Sequence, residues 1–401
     1  MTWLNYERLR VYPRLFFGLY VTIYIYLILP GILGPNLLDR YGTPVGADFC
    51  GFYSGAVLAR SQGPDAVYDL AKMHAAYEKT IGAKTDSIAG WWWVYPPTCL
   101  LLVLPFSFLP YFVALAIWLI STFSIYFGAI RRIAPAPQTI WLTLAFPGTY
   151  QNFIHAQNGF LSAAFFGWGL FLVDRSPFWG GSLLGLLTYK PQMAALVPLA
   201  LLAGRRWKAL AGACFSASAF ALASTLILGK GAWAAFWHNI PVARKLYESG
   251  AMPIFKIGTV FNAALLAGAG YDVARLLQAM IMVAAAAVVF WVWWRDMSLP
   301  IRASVLVLGT LLFTPHALPY EFVLLALPLA WLGWEGHTKG WLPAEQPLLL
   351  LGWLLPLLIP ALGKTHLQLA PLALVALIVI ALRRGKYDSN SIMPIHSTVR
   401  N

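Results

Sequence analysis

Charge is what this sequence has least of. Only 11% of its residues are Asp, Glu, Lys or Arg, whereas a soluble domain carries about 25%. With 60% hydrophobic residues among 401, no water-soluble fold hides that much apolar surface, because a folded chain of this size still exposes a large share of its area. The bilayer must therefore act as the solvent. Cysteine is also scarce. Cys50, Cys99 and Cys214 lack the spacing of a metal site, and Cys214 lies inside an apolar run. They are expected as unpaired thiols, with a Cys50–Cys99 disulfide on the outer face as the alternative. A Walker loop, a dinucleotide fingerprint and a useful His/Cys/Asp cluster are all missing. Asp48 has no Asp two residues away, so an Asp-x-Asp clamp for a metal-bound nucleotide is excluded, and neither a metal nor a cofactor is expected.

What is present is a near-continuous series of apolar runs from residue 15 to 382, with a mean hydropathy of +0.68. A spanning helix needs about 20 apolar residues. The runs are continuous and rich in Leu and Ala, not alternating as in an outer-membrane barrel. The expected fold is an all-α transmembrane helical bundle, one integral membrane domain over 1–401 with about twelve spans. The net charge of +13 sits in short clusters between apolar runs, the pattern of topology determinants and not of a nucleic-acid-binding face.

Arg8, Arg10 and Arg14 precede a first span at 15–33 without a small-x-small cleavage site, which predicts an uncleaved anchor with a cytoplasmic N-terminus. Residues 34–96 then form the first outer loop. Asp39, Asp48, Asp65, Asp69, Glu78 and Asp86 offset its basic residues, and 47–60 and 67–81 are expected as helices lying along the membrane surface. In 97–130, Pro105 and Pro110 divide a dipping segment from a full span that ends at Arg131-Arg132. Further spans are expected at 138–150, 159–173, 178–189, 192–204, 209–228, 272–294, 299–314, 320–334, 346–362 and 367–383, with 258–270 unassigned. Arg205-Arg206, Arg295 and Arg383-Arg384 then face the cytoplasm, as does a tail over 387–401. Several spans are shorter than about 17 residues, which leaves room for a re-entrant hairpin.

This topology brings four polar sites to the outer face: Asp48, the stretch 151–158, Tyr189-Lys190-Pro191-Gln192, and the stretch 314–321. Ionisable groups at bilayer depth cost about 2.5–3.5 kcal/mol each, so they usually line a cavity. Asp48 can act as general base toward a hydroxyl nucleophile, the alternative being a helix N-cap. Lys190, next to a helix-breaking proline, can hold a phosphate as a point charge or merely snorkel. His316 can hydrogen-bond a phosphate oxygen, and Glu321 can orient it or bind sugar hydroxyls. The alternative for both, polar residues at a helix start, fits Glu321 better than His316. Trp91, Trp92, Trp93 and Tyr95 read as interfacial anchors or as sugar-stacking platforms.

Five stretches carry a resemblance: ADFCGFYSGAVLARSQGPDAVYDL, WVYPPTCLLLVLPFSFLP with Trp118 after it, QNGF, LLTYKPQMAALVPLALLAGRRWKAL and TPHALPYEFVLLALP. In this order and spacing the chain resembles glycosyltransferase family 87, polytopic enzymes of the GT-C superfamily that include polyprenyl-phosphate-mannose-dependent mannosyltransferases. The resemblance implies a catalytic acid at Asp48 and phosphate-side groups at Lys190 and His316. Gln157 and Asn158 match a polar pair of unassigned role, and Tyr189, Gln192, Tyr95, Trp93 and Glu321 are possible substrate contacts. It further implies metal-independent, inverting transfer of one sugar, mannose or another hexose or pentose, from a polyprenyl phosphate to a glycolipid or glycan acceptor at the outer face of a bacterial plasma membrane. Two alternatives stay open here, a secondary transporter and an outer-face polymerase or ligase of lipid-linked glycans.

Overall fold

The computed structural model describes residues 6–84, 92–248 and 253–391. Asp86, Trp91 and the tail beyond Ser391 lie outside the described residues. Among the described residues the backbone forms eighteen α-helices joined by short 3-10 turns, and its one extended pairing is an isolated bridge between Leu38 and Pro44. The N-terminal helix α1 (Tyr6–Leu33) leads into α2 (Ala47–Gln62) and α3 (Leu70–Ile81). Then come α4 (Pro97–Val103), α5 (Tyr111–Ile133), α6 (Thr139–Leu144), α7 (Pro147–His155), α8 (Gly159–Leu172), α9 (Pro177–Gly185), α10 (Pro191–Ala194) and α11 (Val197–Ala203). The second half holds α12 (Trp207–Glu248), α13 (Val260–Leu266), α14 (Tyr271–Trp294), α15 (Leu299–Phe313), α16 (Ala326–Lys339), α17 (Glu345–Gly363) and α18 (Ala370–Ser391).

Five helices, α1, α5, α12, α14 and α17, are long and apolar enough to cross a bilayer unaided. They expose large apolar side chains, such as Leu15 and Leu19 on α1, Leu222 and Leu226 on α12, and Met280 and Val283 on α14, which in water would be a severe cost and in lipid is none. The chain is an integral membrane protein. Arg8, Arg10 and Arg14 lie within α1 and not ahead of it, and Arg14 rests over the Trp141 ring at 5.1 Å.

Several of the segments expected as spans are not continuous helices. Residues 138–150 hold two helices, α6 and the start of α7, broken where extended Phe146 precedes Pro147, since the proline ring disfavours a helical residue before it. Likewise 178–189 ends in the 3-10 turn Leu186–Tyr189, 192–204 divides between α10 and α11, and 320–334 begins with the 3-10 turn Pro319–Leu325. Non-helical backbone at membrane depth is tolerated only where protein surrounds it, and these are the interior elements. Helix α15 is the centre: every residue from Ile301 to Leu312 is buried, as expected of a helix apolar on nearly all sides, and it packs on α14, α16 and α18.

The first loop also departs from expectation. Helix α3 has an amphipathic face, Met73, Tyr77 and Ile81 at a spacing of four residues, and is capped by Asp69 Oδ1 accepting from the Lys72 N–H at 3.0 Å. Helix α2 does not lie on a surface. Phe49, Cys50, Phe52, Ala56 and Leu58 are buried against α3, α4 and the 3-10 turn Leu104–Phe108. Pro105 falls in that turn and Pro110 directly before α5, so the two prolines do divide 97–130. The segment 209–228 extends through α12 to Glu248 around a kink at Gly229, whose φ of 80° suits glycine. The unassigned 258–270 forms α13. All three cysteines are free thiols.

At one end of the bundle Arg206 pairs with Asp174 (3.1 Å) and Asp296 (2.8 Å), and Arg302 pairs with the same two carboxylates at 2.6 and 2.9 Å. Helix α8 runs from Asn158 to this ionic cluster, and α15 runs from the cluster to Thr314. At 1.5 Å per residue the two ends are about 20 Å apart. A second ion pair, between Arg384 and Glu345, is wholly buried and fastens α18 to α17: Arg384 Nε donates to Glu345 Oε1 at 2.7 Å, and Nη2 donates to Glu345 Oε2 and to Gly340 O. Arg384→Ala should lower the thermal midpoint in detergent strongly, by the equivalent of about 3–5 kcal/mol, because it strands a buried carboxylate. The paired change Arg384→Met with Glu345→Leu should recover most of that loss.

Candidate active site

The site begins at the entrance to α2. Gly46 sits at φ 76°, a left-handed conformation that costs glycine nothing, and a Cβ there would press on Leu115 and the Tyr111 hydroxyl at 3.0 and 3.1 Å. Tyr111 donates its hydroxyl hydrogen to Val45 O, and Tyr77 donates to Ala47 O at 2.8 Å. Two phenols, one buried and one half-buried, thus fix the first turn of α2. Asp48 lies within that turn, where the helix dipole favours a carboxylate. It is not the N-cap, a place taken by Gly46. Its Oδ2 lies 3.6 Å from Nδ1 of His155, the last residue of α7.

Helix α7 ends because Ala156 turns left-handed at φ 44°. The Trp118 indole donates to Ala156 O at 2.9 Å, and Asn152 Nδ2 donates to Gln157 O at 3.0 Å. Held this way, the buried pair Gln157-Asn158 is ordered in detail. Gln157 Oε1 accepts from the Asn158 N–H at 2.7 Å and from the Tyr95 hydroxyl at 3.5 Å. Tyr189 donates to Asn158 O at 3.0 Å and meets the Ser162 hydroxyl at 2.6 Å. Gly159 follows because nothing larger fits: a Cβ would stand 2.4 Å from Asn152 Oδ1 and 2.8 Å from Tyr320 O.

Lys190, between the 3-10 turn and α10, is 2% exposed. Its ammonium makes an ion pair with Glu321 Oε1 at 2.7 Å, donates to Asn158 Oδ1 at 3.0 Å and lies 5.9 Å from the Tyr95 ring centroid. It does not snorkel, and three broken helices meet on it. Glu321 is equally buried and keeps its Oε2 without a hydrogen bond. His316 stands half-buried in the loop after α15, its backbone N–H and C=O both engaged by the Thr314 hydroxyl. Burial pushes its pKa down, the Glu321 charge opposes this and the Lys190 charge reinforces it. Burial likewise raises the Tyr95 phenol, helped by Cys99, Asp48 and Glu321. Asp48, Tyr95, Lys190, Glu321 and His316 therefore share one electrostatic neighbourhood.

Other expected contacts divide. Tyr189 is fully buried and its hydroxyl is committed to Asn158 and Ser162, so it orders the loop. Trp93 is buried edge-on against Phe52 at 6.2 Å, with its N–H on Tyr95 O, which makes it part of the packing under α2. Half-buried Gln192 makes no hydrogen bond to the group. Two residues not singled out from sequence belong to it: His155, and Tyr320, whose ring lies 5.3 Å from the imidazole. Both fall inside polar stretches already marked, but no spacing rule points a helix-terminal histidine at an acid about a hundred residues earlier. Among the described residues no three His, Cys, Asp or Glu side chains gather as a metal site.

Compared with known protein families, residues 93–315 match the model of glycosyltransferase family 87, more than half of the chain. No curated protein and no solved structure matches it. Tyr95, Gln157, Asn158 and Lys190 fall inside the matched stretch, and Asp48, His316 and Glu321 fall outside it.

The two site histidines carry a pH signature. Burial lowers His155 as well as His316, so the unfolded chain binds protons more readily and stability rises with pH across this range. The thermal midpoint should fall as pH drops from about 6.5, the unperturbed histidine value, through the folded values. His155→Gln with His316→Gln should flatten that part of the profile.

Proposed function

Because the chain belongs to glycosyltransferase family 87 and is an integral membrane protein, we propose that it moves one sugar from a polyprenyl-phosphate carrier to a hydroxyl of a glycolipid or glycan acceptor, at the outer face of a bacterial plasma membrane. The observation that carries this reading is the gathering of an acid, a buried cation and a histidine from segments far apart in sequence around one loop, Gln157-Asn158. Family membership, which makes the chain a glycosyltransferase, removes the transporter alternative.

In this reading Asp48 takes the proton of the acceptor hydroxyl as its oxygen attacks the anomeric carbon, and the anomeric bond to phosphate breaks with inversion. Negative charge then builds on the departing phosphate. Lys190 and the neutral His316 stabilise it, and a fixed cation in a dry site does so far more effectively than one in water. No metal is required for that task. Glu321 holds the ammonium while the site is empty, and a donor phosphate oxygen takes over one of its contacts. Tyr95 and Gln157 border the same space and offer hydrogen bonds to the sugar. Mannose is the first sugar to try. The ionic cluster of Arg206 and Arg302, about 20 Å away along α8, marks the cytoplasmic end under the positive-inside rule.

Asp48→Asn tests the assignment. Asn is nearly isosteric and Asp48 does not cap α2, so the variant should keep the wild-type melting temperature and donor binding while losing about 100–10,000-fold in turnover, the range of general-base catalysis. Near-normal transfer would remove Asp48 from the mechanism. Lys190→Ala should weaken donor binding and slow turnover together, and unchanged kinetics would return Lys190 to a purely structural pairing with Glu321.

A further inference from the structure

General-base catalysis leaves a proton behind, and the base must lose it before the next acceptor arrives. Asp48 is poorly placed to lose a proton to water, since its side chain is only 16% exposed while that of His155 is 34% exposed. The imidazole is thus the wetter member of the pair, with Nδ1 3.6 Å from Asp48 Oδ2. That is longer than a hydrogen bond, as catalytic contacts often are before substrate closes the site. We propose that His155 is the proton outlet of Asp48, carrying the acceptor's proton from the carboxylic acid to solvent after each transfer. The inference rests on Asp48 being the base.

The step balances without any redox partner. The acceptor O–H bond breaks, its proton goes to the Asp48 carboxylate and its electron pair forms the new bond to the anomeric carbon, while the C–O bond to phosphate breaks with its electron pair staying on phosphate. The Asp48 O–H proton then passes to His155 Nδ1, giving imidazolium, the Nε2 proton leaves to water, and proton exchange with water returns the neutral ring to its Nε2–H tautomer for the next cycle. This requires a neutral imidazole at the start of the cycle. Burial favours the neutral ring, the Asp48 charge opposes that and Lys256 supports it. Of the elements packed on α7, α2 brings Asp48 to the ring and the turn Pro319–Leu325 brings Tyr320, while Glu321 of that turn is held by Lys190; Lys256 of the turn Ile254–Lys256 acts on the ring through its charge. The carboxylate of α17, Glu345, is taken up by Arg384, while α6 and α8 carry no charged side chain. In imidazole the second nitrogen gives up a proton as the first accepts one, so the ring relays where an amide cannot.

The experiment uses the full chain in nanodiscs with a panel of short polyprenyl-phosphate hexoses and pentoses, including mannose, and a soluble alkyl glycoside as acceptor. Steady-state turnover and the rate of the first turnover are measured separately. His155→Ala and His155→Gln should each lose about 100-fold in steady-state turnover, keep the first turnover within a few-fold, and regain steady-state rate when free imidazole is added. Wild-type steady-state rates in both variants would overturn the outlet while leaving Asp48 as base, provided Asp48→Asn is silent. Equal loss of the first turnover without imidazole rescue would overturn it too, reducing His155 to a packing or positioning role. An active Asp48→Asn, or no wild-type turnover with any donor, would overturn the base reading and this inference together.

Discussion

The ammonium of Lys190 is the point on which the interior depends. A buried charge is sustainable only with partners, and Lys190 finds them in Glu321 and Asn158, both also buried. Each partner comes from a different interruption: Lys190 from the gap before α10, Asn158 from the gap between α7 and α8, and Glu321 from the turn that replaces the first part of α16. One ion pair with one hydrogen bond thus ties together three places where the helical ladder is broken. The backbone carbonyls freed at the break between α7 and α8 are satisfied separately, by Trp118 at Ala156 O, Asn152 at Gln157 O and Tyr189 at Asn158 O, as broken backbone in an apolar setting requires.

This arrangement explains the division of labour among the helices. The long helices α1, α12 and α14 present broad apolar faces outward and meet the length requirement of a bilayer alone. The short ones, α7 to α11 and α15, are held within the protein and need not satisfy it. The polar side chains of the candidate site gather at the ends of the short helices because there the backbone is irregular. The tyrosines under α2 serve the same purpose at the edge of the site, since Tyr77 and Tyr111 hold the turn that carries Asp48.

An acid and a cation in one neighbourhood would neutralise each other if they touched. Here each has its own partner, His155 beside Asp48 and Glu321 beside Lys190, and Tyr95 and Gln157 stand in the same neighbourhood. That separation keeps a carboxylate and an ammonium apart within one neighbourhood, the arrangement that the proposed transfer, with its two opposite charge changes, would use.

Hydropathy alone determined that this chain lives in a membrane as a helical protein, because 60% hydrophobic residues leave no alternative solvent. Asp48, Lys190, His316 and the pair Gln157-Asn158 stood out from sequence for a related reason: polar groups next to apolar runs are costly enough to need a purpose. The prolines at 105 and 110 marked real breaks, since a missing N–H acts locally. Tertiary structure alone decided the partners. That Lys190 is paired and not snorkelling, that α2 is buried instead of lying on a surface, that Trp93 packs beneath it, and that His155 meets Asp48 all depend on contacts between segments far apart in the chain. Sequence periodicity records which face of a helix is apolar, but not which distant helix will cover it.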